Sequence, residues 1–372
     1  MVRRAAFYID SHGFGHTTRS VELAHRFPSD WEFLFKTNAP TWLFEENGFR
    51  ADRIIPSPLD VHPVHATGYR VDVEATFQEA LRKIADSGRL VEDEILWLDR
   101  ESVELVVTDI SPLAIRAGRA AGLPAFGVSN FTWDWIFEPM FAALDGGSVL
   151  TSIREMMREA TLNFRLPFSD ESTFPYGSVD TPLLYRAPRM EREEARAHFG
   201  FERERRYVLL TFGGFETPTS GVMNLVHLSP LQFVQVDRVR TKPGSGGHPQ
   251  LLRDKEIENL WHLRAPGLYH PDLVVAVDAL VTKPGYGILS EAMSTATPVV
   301  LDSRHDFREF EAIYETLRDY PQVAFVEHEE IARLDLADPL HRVLETEPES
   351  WKGGLHGAEF IAQRVTGEKN GP

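Results

Sequence analysis

The chain has no cysteine among its 372 residues. This absence excludes disulfide bonds, thiolate metal ligands and a cysteine nucleophile, and it is typical of a reducing compartment. Positive charge is also scarce, since 39 Lys and Arg stand against 56 Asp and Glu and the formal net charge is −17. We do not expect a chain of this charge to bind nucleic acid, or to dock on anionic lipid through a broad basic face.

Long apolar runs are missing as well. The longest one, around Leu273–Val281, is interrupted by Asp278 and is far too short to span a membrane. The N-terminal residues become polar too early for a signal peptide. We therefore expect a cytoplasmic protein without a transmembrane segment, and the sequence leaves its oligomeric state open.

Several catalytic motifs do not occur in the chain. It has no Asp-x-Asp clamp for a metal diphosphate, no Walker A sequence, no Gly-x-Ser-x-Gly elbow and no His-Glu-x-x-His pair. The histidine pairs His12 with His16, and His62 with His65, each lack an evident third metal ligand. We expect no metal ion and no organic cofactor.

Short apolar runs alternate with helical patterns in both halves of the chain, which is typical of parallel α/β layers. We expect an N-terminal Rossmann-like domain over residues 1–185 and a C-terminal one over residues 200–350. A last helix within residues 351–372 is expected to cross back to the first domain. Two such domains that face each other would bind a ligand in the cleft beyond the carboxyl ends of both sheets. In the second half, strands are predicted at 207–212, 232–236, 267–269, 279–282, 299–301 and 323–326.

The most informative segment is the predicted strand Ala279–Thr282, which runs into Lys283-Pro-Gly-Tyr-Gly287 and then a helix. Such a turn directs free backbone N–H groups and the positive end of a helix dipole at one point, which suits a diphosphate. Lys283 could neutralise a phosphate, and a solvated surface lysine is the alternative. Ser290 and Glu291 are expected in the first helical turn. There, Glu291 could accept hydrogen bonds from a ribose, or it could simply complement the dipole.

A second strand-to-helix loop reads Asp10-Ser-His-Gly-Phe-Gly-His16. Gly13 and Gly15 permit a sharp turn and close approach of a ligand to the backbone. His16 precedes a helix predicted over Thr17–Phe27, so its imidazole can project towards a ligand; capping of that helix is the alternative. The third glycine of a dinucleotide fingerprint is missing.

Polar residues also follow the next predicted strands. Asp109 comes after Leu105–Thr108 and could orient His16 as in a His–Asp general-base pair, or it could cap the following helix. The segment Ser129–Trp135 combines Asn130 and Asp134 with Trp133, which suits a sugar, although the tryptophans could equally belong to the core.

Further polar segments lie in the second half. Thr211-Phe-Gly-Gly214 ends a predicted strand with two glycines, and Asp302–Glu311 is dense in hydrogen-bonding groups suited to a polyhydroxylated ligand. A charged helix start is the alternative for the latter. The glycine-rich loop over residues 242–249 is interpreted as a linker or a functional flap.

Together these residues resemble the GT-B glycosyltransferases, and in particular the glycosyltransferase-like N-terminal half of plant-type L-arabinokinases and its free-standing bacterial relatives. The resemblance runs in order through nearly the whole chain. The sugar-kinase half of those proteins is absent, so sugar phosphorylation is not implied. The motifs that carry the resemblance are His12-Gly-Phe-Gly-His-Thr-Thr-Arg19, Val107-Thr-Asp109, Ser129-Asn-Phe-Thr-Trp-Asp-Trp135, Phe212-Gly-Gly214, Lys283-Pro-Gly-Tyr-Gly-Ile-Leu-Ser-Glu-Ala292, Asp306-Phe307 and Gly353-Gly-Leu-His-Gly-Ala-Glu359.

A more distant similarity to MurG-type and plant UDP-sugar transferases implies roles for single residues. His16 matches the proposed base towards the acceptor, Asp109 supports it, and Glu291 matches the glutamate that holds the nucleotide ribose. The residues expected on the acceptor side besides this pair are His12, Gly13, Phe14, Gly15, Arg19, Asn130, Trp133 and Asp134. Those expected on the donor side are Gly213, Gly214, Tyr269, Lys283, Gly285, Tyr286, Gly287, Ser290, Glu291, Asp306, Phe307 and Glu309.

The resemblance implies an inverting, metal-independent glycosyltransferase of GT-B fold. It would move a sugar from a nucleotide diphosphate sugar, with a UDP-sugar expected first, to a hydroxyl acceptor. Two alternatives stay open at this point: a non-catalytic module that binds nucleotide sugars, and a nucleotide-sugar epimerase or hydrolase on the same fold.

Overall fold

The computed structural model describes residues 2–67, 70–212, 221–237, 247–305 and 308–367. The chain divides into two compact units, each described by itself below. The first unit comprises Met1–Leu184 with Gly353–Pro372, and the second comprises Tyr185–Lys352. Each unit contains a seven-stranded sheet with helices, so the predicted α/β fold class is confirmed.

The sheet of the first unit has the strand order β3-β2-β1-β6-β7-β8-β9, and all neighbouring strands in it are parallel. A separate hairpin, β4–β5, is antiparallel. The strands are β1 (Arg3–Ile9), β2 (Trp31–Lys36), β3 (Ile54–Ile55), β4 (His65–Thr67), β5 (Arg70–Val71), β6 (Leu105–Asp109), β7 (Ala125–Ser129), β8 (Leu162–Arg165) and β9 (Ser178–Asp180). The helices are α1 (Phe14–His25), α2 (Trp42–Glu45), α3 (Val73–Ala85), α4 (Ser87–Arg100), α5 (Pro112–Ala120), α6 (Trp133–Met140) and α7 (Gly147–Arg158).

The central strands of this sheet are mostly buried, and each contains a continuous apolar run. In β1, Ala5 to Ile9 are each at most 1% exposed, and all five residues of β6 are buried. Strands covered by helices on both faces read as continuous apolar runs rather than as an alternating pattern. The polar residues Asp10 and Asp109 therefore mark the carboxyl ends of β1 and β6, where the buried apolar run stops.

The sheet of the second unit has the order β12-β13-β11-β10-β14-β15-β16, in which β12 is antiparallel to β13 and the other pairs are parallel. The strands are β10 (Tyr207–Thr211), β11 (Gln232–Val236), β12 (Gln250–Arg253), β13 (Leu260–Arg264), β14 (Ala279–Thr282), β15 (Val299–Ser303) and β16 (Val323–Glu327). The helices are α8 (Arg192–His198), α9 (His270–Ala276), α10 (Tyr286–Ser294), α11 (Arg308–Leu317), α12 (His328–Arg333) and α13 (Ala337–Glu345), and Val222–Leu228 forms a 3-10 helix.

The last helix, α14 (Gly357–Thr366), belongs to the first unit. Its buried residues Ala358, Ile361, Ala362 and Val365 join the apolar cluster built by β1, β2 and α1. Gly357 starts the helix so close to the backbone of Pro182 to Leu184 that a Cβ would overlap it. Only glycine fits at this position.

Three local predictions are wrong. The strand predicted at 267–269 is a turn with Gly267 at φ +66°, and the strand in this region is β13. Helix α10 begins at Tyr286, so Ser290 and Glu291 lie in its second turn rather than in its first. Helix α1 begins at Phe14, so His16 lies inside the first turn instead of before it. Among the described residues, no helix combines the length and the apolar character needed to cross a membrane.

Candidate functional site

The first candidate site lies at the carboxyl ends of β1 and β6, where His16 and Asp109 are in contact. His16 Nδ1 lies 2.8 Å from Asp109 Oδ1, and the two residues are 8% and 3% exposed. Asp109 does not cap the helix that follows it, because the N-cap position of α5 is Ser111. The capping alternative for Asp109 is therefore wrong.

Arg19 binds the same carboxylate from the next turn of α1. Its Nε and Nη2 atoms each lie 2.5 Å from an oxygen of Asp109, and its Nη1 atom donates to Asn130 Oδ1. Burial alone would raise the pKa of Asp109, but the charges of Arg19 and His16 outweigh it and bring the pKa to about 2. Asp109 is therefore an anion at neutral pH, held by a cation and an imidazole.

The two neighbours of His16 Nδ1 make opposite demands on it. An ionised Asp109, at 2.8 Å, only accepts hydrogen bonds, whereas Arg19 Nη2, at 2.9 Å, only donates. In the tautomer that carries its proton on Nδ1, His16 donates to Asp109. The lone pair of that tautomer is on Nε2, the arrangement that a general base requires.

Three further residues predicted on the acceptor side are buried. Asn130, Trp133 and Asp134 are 2%, 2% and 3% exposed. Asn130 connects Arg19 to the carbonyl of Pro167, to which it donates at 2.5 Å. Trp133 Nε1 donates to Asp10 Oδ2 at 3.3 Å. Asp134 accepts hydrogen bonds from Arg154 and Tyr176. Asn130 and Trp133 thus contact α1 and the residue that follows β1, whereas Asp134 binds residues further along the chain.

Two side chains of the glycine-containing loop do reach the surface. Phe14 is 43% exposed and packs edge-on against Trp42, which is 36% exposed, with ring centroids 5.5 Å apart. His12 is partly exposed. Gly13 has φ +100°, a conformation that favours glycine, whereas Gly15 has no positive φ. Phe14, two positions before His16 in the chain, thus forms an exposed aromatic pair with Trp42.

A second histidine–carboxylate pair, which the sequence analysis missed, lies next to the first. His62 Nδ1 is 3.2 Å from Oδ1 of Asp10, which is fully buried and also accepts a hydrogen bond from the backbone of His12. Burial opposes protonation of His62, but the close contact with Asp10 and the charges of Asp10 and Asp60 outweigh this and raise its pKa. The signal in the sequence was an aspartate directly after β1, the same position relative to a strand that marked Asp109.

Asp60 completes this group. It is 7% exposed and accepts hydrogen bonds from Ser11 Oγ at 3.0 Å and Asn38 Nδ2 at 3.2 Å. Burial and the neighbouring charge of Asp10 raise the pKa of Asp60 to about 6. Even so, no three His, Cys, Asp or Glu residues of the described chain are grouped as metal ligands.

In the second unit, the turn from β14 into α10 presents Lys283 and the first amides of the helix. Gly285 is the N-cap residue of α10, makes no side-chain cap, and is followed by Tyr286 and Gly287 in the first turn. Because a helix N-terminus leaves its first four N–H groups without partners in the helix, these amides can receive an anion. Burial and the charge of Arg304 lower the pKa of Lys283 to about 8, while Glu309 in α11 opposes them.

Glu291 is buried one turn further along α10, at 3% exposure. Arg186 Nε and Nη2 donate to its Oε1 at 2.8 and 2.6 Å, and His270 Nδ1 lies 3.3 Å from its Oε2. Burial would raise the pKa of Glu291, but Arg186 and His270 outweigh it and lower that pKa. The interpretation of Glu291 as a first-turn residue that complements the helix dipole is wrong, because it lies in the second turn.

Tyr269, at the N-cap position of α9, lies beneath two arginines. The Arg189 and Arg186 guanidinium carbons are 3.7 and 5.5 Å from the centre of its ring, and its hydroxyl donates to Ala187 O at 3.1 Å. Asp272 accepts hydrogen bonds from the backbone of Arg189 at 2.6 Å and of Met190 at 3.3 Å. The segment that carries both arginines is thus fixed to the start of α9.

Several predicted residues are not near these groups or cannot be placed. Gly213, Gly214, Asp306, Phe307 and positions 242–246 of the glycine-rich loop lie outside the described residues. Ser290 is 7% exposed, and so it is largely covered. Asp302, at the end of β15, contacts His328 Nδ1 at 2.9 Å, a pair that the sequence analysis did not identify.

Comparison with known proteins agrees with this architecture. No protein-family model matches the chain. An L-arabinokinase of Arabidopsis thaliana is 28% identical to it over 374 residues, which cover 96% of this chain and 33% of the relative. The chain thus spans a third of the length of the curated relative that it matches.

Solved glycosyltransferases share the fold at low sequence identity. The calicheamicin glycosyltransferase CalG4 is 16% identical, with a TM-score of 0.59 over 98% of this chain and 94% of its own. MurG of Acinetobacter baumannii is 11% identical, with a TM-score of 0.59 over 98% and 99% of the chains. The glycosyltransferase VinC in complex with dTDP is 15% identical, with a TM-score of 0.59 over 98% and 94%. The chain thus has the GT-B fold of these solved proteins, and its sequence is similar to part of an L-arabinokinase.

Proposed function

We propose that the protein is an inverting, metal-independent glycosyltransferase. It would move a sugar from a nucleoside diphosphate sugar, a UDP-sugar first of all, to a hydroxyl group of an acceptor. The acceptor is assigned to the first unit and the donor to the second. The observation that carries the proposal is the buried contact between His16 Nδ1 and the ionised Asp109. With the ring proton on Nδ1, Nε2 of His16 is the base.

In the proposed reaction, His16 Nε2 takes the proton of the acceptor hydroxyl while that oxygen attacks the anomeric carbon. The new C–O bond forms on the face opposite the diphosphate, and the bond to the diphosphate oxygen breaks. The diphosphate leaves with the electron pair, so a single displacement inverts the anomeric configuration. Asp109 orients the imidazole and stabilises its protonated form, the role that a carboxylate has in other histidine-based sites.

The donor side of the proposal uses the turn before α10. Lys283, together with the backbone amides that follow Gly285 at the start of α10, would stabilise the negative charge that develops on the leaving diphosphate. These groups would supply the electrostatic stabilisation that a metal ion gives in other transferases. A neighbour of this fold is known in complex with dTDP, which supports a nucleoside diphosphate as the ligand to test.

The first experiment is a thermal-shift panel of UDP, GDP, dTDP, CDP and ADP, alone and as their common sugar conjugates. A ligand at a hundred times its Kd stabilises the folded state by about 2.7 kcal/mol, which moves the melting temperature by several degrees. We expect one nucleotide to stand out, and the corresponding sugar donor is then offered with a library of hydroxyl acceptors. Transfer of the sugar with inversion supports the proposal.

Three results would contradict it. If no nucleotide changes the melting temperature, the second unit has no donor site of the proposed kind. Binding without transfer to any acceptor would point to a module that only binds nucleotide sugars. Consumption of the sugar donor with no acceptor present, at the same rate as with one, would point to a hydrolase or epimerase.

A further inference from the structure

A second carboxylate, that of Asp10, lies beside the pair that His16 forms with Asp109. In the parallel register of β1 and β6, Ile9 is paired with Asp109, and Asp10 is the next residue after Ile9. Neighbouring strands are about 4.8 Å apart, and the carboxyl ends of parallel strands lie at the same edge of the sheet. The two aspartates therefore act on the same region of the first unit.

Asp10 is surrounded by hydrogen-bonding partners. Its Oδ1 accepts from the backbone N–H of His12 at 2.7 Å and lies 3.2 Å from His62 Nδ1, and its Oδ2 accepts from Trp133 Nε1 at 3.3 Å. Burial would raise the pKa of Asp10, but the contact with His62 and the charges of His16 and His62 outweigh it and lower that pKa. Asp10 is thus a buried anion on which both histidines act.

The loop that carries His62 is held firmly, although residues 56–64 form neither helix nor strand. Leu59 and Val61 are 0% and 1% exposed, and Asp60 accepts hydrogen bonds from two side chains of the neighbouring loops. The side chain of His62 is 32% exposed. The His62 ring is therefore held next to Asp10 and still reaches solvent, so it can exchange a proton with water.

Acidic groups are in excess in this region. Asp10, Asp60 and Asp109 are all buried, and Arg19 supplies a buried guanidinium that binds Asp109. Like charges repel strongly in a medium of low dielectric constant, and a bound proton reduces that repulsion. Burial and the charge of Asp10 raise the pKa of Asp60 to about 6, and, although burial opposes it, Asp10 and Asp60 raise the pKa of His62. Bound protons thus offset the charge that fixed cations leave unbalanced.

Three further titratable groups lie close to His62. The centre of the His12 ring is 5.7 Å from that of His62. On α3, the charge of Lys83 lowers the pKa of His62, but less than the aspartates raise it, and Glu79 is bound to an arginine of its own helix. The proton on His62 therefore depends on Asp10 first.

We propose that His62 is a positioning residue for His16 and acts through Asp10, because a proton on His62 offsets the charge of Asp10. The inference rests on the proposed function, in which His16 is the general base. With His62 protonated, Asp10 is balanced and His16 takes up a proton less readily. With His62 neutral, Asp10 is an unbalanced anion that stabilises the protonated form of His16.

The test is a pH titration of the histidine rings by NMR, in the full chain with labelled histidine. Each ring reports its own protonation, so no substrate is required. Signals are assigned by their loss in His16→Gln and His62→Gln. We expect His62→Gln to raise the pH at which His16 is half protonated by about one unit, because Asp10 is then an unbalanced anion.

Three variants separate charge from packing. His62→Arg keeps a positive charge at this position, so half-protonation of His16 stays at or below the wild-type pH. In Asp10→Asn it moves to lower pH, since the anion itself is gone. His25→Gln is the matched control: His25 is exposed at the other end of α1, the helix that carries His16, and its loss changes nothing in the His16 titration.

The same variants connect the titration to the proposed reaction. Only neutral His16 accepts the proton of the acceptor hydroxyl, so the transfer rate falls as the pH falls through the half-protonation of His16. This acidic limb of the rate profile should move to higher pH in His62→Gln by the amount measured by NMR, and it should not move in His25→Gln.

The outcomes are distinguishable. An unchanged His16 titration in His62→Gln overturns this inference and leaves the proposed function standing. An equal upward shift in His62→Gln and His62→Arg assigns the effect to packing and also overturns it. If the NMR titrations behave as expected but no donor gives transfer, the proposed function fails while the coupling of the two histidines stands. Melting temperature and circular dichroism of each variant establish that the fold is retained.

Discussion

Asp109 accepts hydrogen bonds from Arg19 at 2.5 Å through the same oxygen, Oδ1, that lies 2.8 Å from the His16 ring. One carboxylate therefore serves a permanent cation and an imidazole together. A proton taken up by His16 during the proposed transfer would place a second positive charge 2.9 Å from Arg19 Nη2. Asp109, an anion in contact with both groups, is placed to stabilise that charge.

His16→Ala is expected to abolish sugar transfer and to leave nucleotide binding intact. Removal of a general base lowers the rate by about 10²- to 10⁴-fold. The measurement is transfer rate with the nucleotide sugar found in the binding panel, beside calorimetric affinity for the free nucleotide. His16→Gln is the control of similar size without a basic ring nitrogen, and it should be equally inactive. If His16→Ala still transferred the sugar at the wild-type rate, His16 would not be the general base.

The stability of the first unit is expected to fall in acid because of Asp109. Its pKa is lowered in the folded state, so its contribution is fully present above the unfolded value and is lost as the pH falls through the folded one. The gap between 3.8 and about 2 corresponds to about 2 kcal/mol, lost between about pH 4 and pH 2. The free energy of unfolding, measured with urea at pH 6, 4 and 3, tests this. A free energy of unfolding that stays constant from pH 6 to pH 3 would contradict it.

Asp60 is expected to act in the opposite direction. Its pKa is raised to about 6 by burial and by Asp10, so the stability cost of ionising Asp60 builds up from about pH 4 and is complete above about pH 6. The gap from 3.8 corresponds to about 3 kcal/mol at most. Asp60→Asn should therefore be more stable than the wild type at pH 8, with the difference shrinking towards pH 5. Equal free energies of unfolding for Asp60→Asn and the wild type at pH 8 would contradict the raised pKa of Asp60.

The sequence predicted the fold well because its central strands are buried on both faces. Gln232–Val236 and Ala279–Thr282 were predicted with the bounds that they have in the structure. Strand β13 was missed because it is only half buried, with Arg264 exposed and His262 partly so, and its pattern lacks a continuous apolar run. The nearby apolar pair Leu268 and Tyr269 was mistaken for a strand after a glycine turn.

The polar partners of the sites could not be predicted in the same way. Arg19 and Asp109 are 90 positions apart in the chain, and Arg186 and Glu291 are 105 apart. The sequence around an arginine does not indicate which residue its long side chain contacts. A carboxylate directly after a buried strand, by contrast, is predicted to lie at the carboxyl end of that strand. The sequence thus indicated His16, Asp109 and Glu291 but neither arginine contact, and the roles of all of them stay predictions.

Gly357→Ala is expected to destabilise the attachment of α14 to the first unit. A Cβ at this position would overlap the carbonyl oxygen of Pro182 and lie 2.9 Å from Leu183 C and Leu184 N, and backbone atoms cannot move aside cheaply. Overpacking of this kind costs about 1–3 kcal/mol. Gly88→Ala in α4 is the matched control, because no atom lies within 4 Å of its Cβ position. There, alanine should be neutral or stabilising, since it favours the helix. Equal unfolding curves for both variants would contradict the packing argument.

Lys283→Met is expected to weaken binding of a nucleoside diphosphate and to remove part of its pH dependence. Burial and Arg304 lower the pKa of Lys283 to about 8 despite the opposing charge of Glu309. Because only the protonated amine attracts the phosphates, wild-type affinity for UDP should fall as the pH rises from 7 to 9. In Lys283→Met the affinity should be about tenfold lower at pH 7 and nearly constant with pH.

Calorimetric titration with UDP and with uridine at the two pH values separates this effect from others. Uridine has no phosphate, so its binding should not change with the variant or with pH. Lys283→Arg, which stays charged throughout this range, should bind UDP without the pH dependence and establishes that the fold tolerates substitution here. If Lys283→Met bound UDP with the wild-type affinity and the same fall above pH 8, the phosphates would have to be held elsewhere, and the amides that follow Gly285 would be the next groups to test.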